Sequence, residues 1–126
     1  MTVASSDTPL SLHVLIVDDD DLVLDSISAE VESLGCTVIT AESGDAACAI
    51  LATGSPVDTV LTDLNLHGGM DGRGLLTHVR ARHPTIRVVL MSGSLTDADQ
   101  LSEPNCAALP KPFTRAQLRA ALHGGN

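Results

Sequence analysis

Short apolar runs alternate with helical patterns along the whole chain, and that alternation admits few folds. His13-Val14-Leu15-Ile16-Val17 predicts a strand buried on both faces, closed by the four aspartates Asp18 to Asp21. Asp20 or Asp21 can cap the next helix, where Leu24, Ile27, Val31 and Leu34 recur at helical spacing until Gly35. Cys36–Ala41 reads as a second strand, Ser43 caps a second helix through Leu51, and Gly54-Ser55-Pro56 breaks it. Val57–Thr62 is the third strand, followed by the glycine-rich loop His67-Gly68-Gly69-Met70-Asp71-Gly72. A third helix spans about Arg73–Arg82, a fourth strand Ile86–Met91, and a short fifth strand Cys106–Leu109. The residues from Gly93 to Asn105 are weakly helical, so the fourth helix is expected to be short or irregular. Thr114-Arg115-Ala116-Gln117 has the form of a capping box and opens a last helix, ended by Gly124. Five β–α units of this kind predict an α/β domain: a doubly wound parallel sheet with helices on both faces. The organisation expected is a flexible polar arm over 1–11, one domain over 12–123 and a tail over 124–126.

Composition narrows the function. Phe113 is the single aromatic residue, so a stacking surface for single-stranded nucleic acid is excluded. The net charge of −9 argues against binding duplex phosphates, and Lys111 is the only lysine. Cys36, Cys48 and Cys106 are odd in number and lack metal-ligand spacing. They read as reduced, buried residues, as expected of a cytoplasmic protein. No apolar run is long enough to span a membrane, and residues 1–13 lack the basic and hydrophobic regions of a secretory signal.

Ligands of such a sheet sit beyond the carboxyl ends of its strands. The first strand delivers Asp18 and Asp19 there, the third Asp63, the fourth Ser92 and the fifth Lys111. An aspartate at a strand end is most often a helix cap, and Asp20 and Asp21 suit that role; the coincidence of the other residues on one rim does not. Carboxylates held close repel one another, and a hard divalent cation such as Mg²⁺ relieves that repulsion. Mg²⁺ commonly combines one or two carboxylates with phosphate oxygens. A carboxylate can itself be a nucleophile that forms an acyl phosphate, with a metal, an ammonium and a hydroxyl sharing the phosphoryl oxygens. Asp63, alone on a central strand before a glycine-containing loop, is the candidate nucleophile.

These residues resemble the receiver domain of bacterial two-component response regulators, from about His13 to Leu122. Val14-Leu15-Ile16-Val17-Asp18-Asp19-Asp20 is similar to the family's first strand and acidic pair. Val60-Leu61-Thr62-Asp63-Leu64-Asn65 is similar to its phospho-acceptor segment, with Met70-Asp71-Gly72 the turn that follows. Val88-Val89-Leu90-Met91-Ser92-Gly93 and Leu109-Pro110-Lys111-Pro112-Phe113 match the hydroxyl-bearing and lysine segments. The resemblance implies a flavodoxin-like sheet of order 2-1-3-4-5. It implies that Asp63 accepts a phosphoryl group from a sensor histidine kinase or histidine phosphotransfer protein. Asp18, Asp19, Asp63 and the backbone carbonyl of Asn65 would hold Mg²⁺, and Ser92 and Lys111 would bind the phosphoryl oxygens. It also implies a cis Lys111–Pro112 bond, and positions Asn65 and Ser94 as tuners of the phosphoryl lifetime. Such proteins assist their own phosphorylation without being enzymes in the usual sense.

Three features depart from the family pattern. Leu66-His67-Gly68-Gly69 replaces the usual Met-Pro loop and is one residue longer; a solvated His67 is the expected reading, an approach to the phosphate the alternative. The segment from Ser92 to Lys111 is short. Ala108 stands where Tyr or Phe is usual, so the hydroxyl–aromatic coupling of the family cannot operate as such. Two other functions compete. A phosphatase of the haloacid dehalogenase type shares the order of Asp18, Ser92 and Lys111, but residues 112–126 carry none of its further acidic motif. A phosphorylation-independent docking module is the other. No effector domain is expected within these residues, and the downstream partner is expected to be a protein.

Overall fold

The apolar runs set between polar turns become the strands of one parallel sheet. The computed structural model describes residues 9–93 and 105–123. Its strands are β1 (His13–Val17), β2 (Thr37–Ala41), β3 (Thr59–Asp63), β4 (Arg87–Ser92) and β5 (Cys106–Pro110). They run parallel in the order β2-β1-β3-β4-β5. The helices are α1 (Asp21–Ser33), α2 (Gly44–Ala52), α3 (Gly72–Arg82) and α4 (Arg115–His123). This is the flavodoxin-like order expected from the sequence. The short helix expected between Gly93 and Asn105, and with it Ser94, lies outside the described residues.

Each strand faces two cores, which is why its apolar run lacks polar alternation. Val14 and Ile16 of β1 join Leu24, Ile27 and Val31 of α1 and Leu118 and Leu122 of α4 on one side. Leu15 and Val17 join Ala47 and Leu51 of α2 and Leu75, Leu76 and Val79 of α3 on the other. Side chains without aromatic rings fill both layers, and the sole phenylalanine, Phe113, only flanks the first.

Local chemistry sets the ends of the elements. Asp20 caps α1, its Oδ1 accepting from the Leu22 and Val23 amides at 2.9 and 3.3 Å. Ser43 caps α2 through the Ala46 amide at 3.0 Å. The capping box of α4 forms as expected, Thr114 Oγ1 accepting from the Gln117 amide (3.1 Å) while Gln117 Oε1 accepts from the Thr114 amide (2.8 Å).

Two expected boundaries are corrected. β3 begins at Thr59 and includes Asp63, rather than spanning 57–62. Asp58 instead holds the start of β1, its Oδ2 accepting from the His13 amide at 2.7 Å. Residues 9–11 are not a free arm: the Leu10 amide donates to the Leu34 carbonyl (2.9 Å), and the Ser11 amide to that of Gly35 (3.1 Å). Leu10 packs against the core, and Pro9 fills the space a side chain at Gly35 would need.

Candidate functional site

Four strand ends meet at the carboxyl rim of the sheet. Asp63 and Ser92 are the last residues of β3 and β4, while Asp18 and Lys111 directly follow β1 and β5. Hydrogen bonds carry the backbone alignment beyond the strands. The Leu64 amide donates to the Met91 carbonyl (2.9 Å), the Lys111 amide to that of Ser92 (2.7 Å), and the Asp18 amide to that of Ala41 (3.2 Å). The start of α3 presses on the same place. A Cβ at Gly72 would lie 2.5 Å from the Asp63 carbonyl oxygen, so only glycine fits there. Asp71 caps that helix through the Gly74 amide at 2.8 Å, a role hidden in the sequence by the turn residues around it.

The Asp63 side chain is 15% exposed, sheltered but open to a reactant. Its Oδ1 accepts from the Asn65 amide at 3.1 Å, and its Oδ2 lies 3.3 Å from Lys111 Nζ. Ser92 is buried beside it at the end of the neighbouring strand. The cis bond between Lys111 and Pro112 is present.

Asp18 is almost fully buried. Its Oδ1 accepts from the Asp20 amide at 2.9 Å, but its Oδ2 has no hydrogen-bond partner among the described residues. Burial raises its pKa, the Asp20 amide lowers it, and the Asp63 charge raises it further. Lys111 acts in the opposite direction. Asp18, Asp63 and Lys111 therefore share one electrostatic site. A buried carboxylate oxygen without a donor, close to a second carboxylate, fits a hard cation. Among the described residues no three His, Cys, Asp or Glu side chains converge as a metal cluster. The unpartnered Asp18 Oδ2 and the neighbouring Asp63 carboxylate suit an ion that keeps several waters, as Mg²⁺ does.

Asp19 does not join that group in this structure. Its Oδ2 accepts from the His67 amide at 3.0 Å and lies 2.5 Å from His67 Nδ1. His67 lowers the Asp19 pKa through both contacts, against a smaller opposing effect of burial. Although 87% of the His67 side chain is exposed, it is paired and not merely solvated. No local pattern announces this pair, because it joins loops 48 residues apart.

Residues 14–123 match the family profile of the response regulator receiver domain. The chain belongs to this family. Receivers are the signal-accepting modules of two-component systems. This receiver is 37% identical over 122 residues to the sensor kinase CckA of Brucella abortus (strain 2308), covering 94% of the chain and 13% of that protein. It is 36% identical over 103 residues to the DNA-binding transcriptional regulator NtrC of Salmonella typhimurium (strain LT2), covering 79% of the chain and 22% of that protein. The receiver therefore spans a small part of these curated relatives. Among solved structures, a response regulator receiver protein from Sinorhizobium medicae WSM419 superposes with a TM-score of 0.80 at 27% identity, covering 89% of this chain and 91% of that one. A receiver domain protein from Clostridium thermocellum shares the fold, with a TM-score of 0.81 at 24% identity over 90% of this chain and 93% of that one. Within the receiver, Ala108 pairs with Leu90 across the β4–β5 ladder and puts no ring at this register.

Proposed function

We propose that this receiver accepts a phosphoryl group on Asp63 from the phosphohistidine of a sensor histidine kinase or a histidine phosphotransfer protein. It then signals through protein–protein contacts in the cytoplasm. The observation that carries the reading is the sheltered Asp63 carboxylate, 3.3 Å from the sole lysine and coupled to the orphaned carboxylate of Asp18. A carboxylate so placed is a nucleophile with its charge-stabilising partners already in position.

An Asp63 oxygen forms the new P–O bond as the P–N bond to the donor imidazole breaks, its electron pair staying on that nitrogen. Lys111, now on Asp63 Oδ2, turns to a phosphoryl oxygen, and the Ser92 hydroxyl donates to another. Asp18, Asp19, Asp63 and the Asn65 carbonyl would hold Mg²⁺, which when bound offsets charge on the phosphoryl oxygens. Asn65, two residues beyond Asp63, would tune the lifetime of the phosphoryl group. Three free cysteines support a reducing compartment, and no helix among the described residues is long and apolar enough to cross a membrane.

The test is transfer from a histidine phosphotransfer protein carrying labelled phosphohistidine. Label should move to the wild-type chain with Mg²⁺, be released by hydroxylamine, and fail to reach Asp63→Asn. Equal labelling of Asp63→Asn would refute the assignment of the acceptor.

A further inference from the structure

We propose that His67 is a positioning residue that competes with the bound cation for the Asp19 carboxylate, so that metal binding and release of the β3–α3 loop are coupled. This rests on the metal assignment above. The backbone amide and the ring of one residue both engage Asp19 Oδ2, at 3.0 and 2.5 Å. The other two carboxylates differ: Asp18 Oδ2 lacks any hydrogen-bond partner among the described residues, and Asp63 Oδ2 faces the Lys111 ammonium assigned to the phosphoryl group. Of the three carboxylates assigned to the metal, only Asp19 is engaged by a side chain of the loop that follows β3.

The loop is built to hold His67 and to let it go. Leu64 and Leu66 are buried in the second core and anchor the chain up to His67. Gly68 and Gly69 follow at once with φ of +69° and +114°, conformations that side chains rarely adopt. His67 therefore sits where an anchored segment passes into a pair of glycines in the left-handed region. An oxygen that already takes two donors has less electron density to offer a cation, so ligation through Asp19 Oδ2 weakens the ring contact. By linkage, the contact must weaken ligation equally.

Calorimetric titration with Mg²⁺ alone, without any phosphoryl donor, tests this. His67→Ala deletes the ring but keeps the amide contact, and the exposure of this side chain makes loss of the fold no concern. It should bind Mg²⁺ about threefold to tenfold more tightly, the equivalent of one net hydrogen bond. His67→Asn, which restores a short side-chain N–H donor, should return toward the wild-type affinity. In wild type, NMR should show the His67 imidazole resonances moving on saturation with Mg²⁺, while those of His78 in α3 and His83 just past its end stay put. Equal or weaker binding by His67→Ala overturns the competition while leaving the metal site intact. No binding by wild type and His67→Ala alike overturns the competition together with the metal assignment.

Discussion

Asp18 concentrates the tension of the site in one side chain. It is buried, its Oδ2 lacks a partner among the described residues, and burial raises its pKa. A carboxylate raised in the folded state binds its proton more tightly there than in the unfolded chain. Its contribution to stability is therefore full at low pH and is lost as pH rises from the ordinary carboxylate range through the folded value. In EDTA, Asp18→Asn should remove this loss and stabilise the protein at neutral pH by about 1 kcal/mol, the lower part of the cost of an unsatisfied buried group. Urea unfolding followed by circular dichroism across pH checks it, and a destabilised Asp18→Asn at neutral pH would contradict it. The same variant should bind Mg²⁺ less well. Lys111 is the opposite case, since its ammonium opposes cation binding yet is assigned to the phosphoryl group. Lys111→Ala should bind Mg²⁺ at least as tightly by calorimetry but lower the steady phosphoryl yield about tenfold or more, as befits a lost charge-assisted hydrogen bond.

At the scale of elements, the junction of β3 and α3 sets where Asp63 stands. Gly72 lies against the Asp63 carbonyl, and its amide donates to the Leu64 carbonyl at 3.0 Å. Gly72→Ala must push α3 off the strand end, so it should cost about 1–3 kcal/mol in thermal or urea unfolding and slow phosphorylation as well. An unchanged Gly72→Ala would show that the junction is looser than drawn. Leu118 of α4 is fully buried, and Leu118→Ala should cost about 2–5 kcal/mol in the same assay without touching the acceptor. Most of these elements were legible in the sequence because both faces of the sheet are covered. The apolar runs around Leu15 and Val89 are uninterrupted, and the caps at Asp20, Ser43 and Thr114 stand directly before periodic patterns. The start of β3 was misread because Val57-Asp58 looks strand-like, whereas Asp58 spends its carboxylate on the His13 amide. The end of the arm was misread because Pro9-Leu10-Ser11 carries too little pattern to reveal bonds to Leu34 and Gly35.

For the whole molecule, thirteen of the sixteen acids precede Arg73, and all seven Lys and Arg residues come at or after it. The fold interleaves the halves, carrying Lys111 from the basic half to Asp18 and Asp63 of the acidic half. That convergence was legible, since strand ends in this topology share a rim. The turn of Asp19 toward His67 was not, because it depends on how two loops meet in space. Filling the site with a cation should stabilise the whole fold by about 2.7 kcal/mol at a hundred times the Kd, read as a higher Tm. A Tm indifferent to Mg²⁺ would remove the metal from the account. The acceptor role of Asp63 is tested most directly by intact mass after incubation with Mg²⁺ and phosphoramidate or acetyl phosphate; with no Trp or Tyr, the chain offers little intrinsic fluorescence to follow. One hydroxylamine-labile phosphoryl adduct should appear on the wild type and be absent from Asp63→Asn and from the EDTA control. No adduct, under conditions that label another receiver, would contradict the account and leave a docking module of receiver fold.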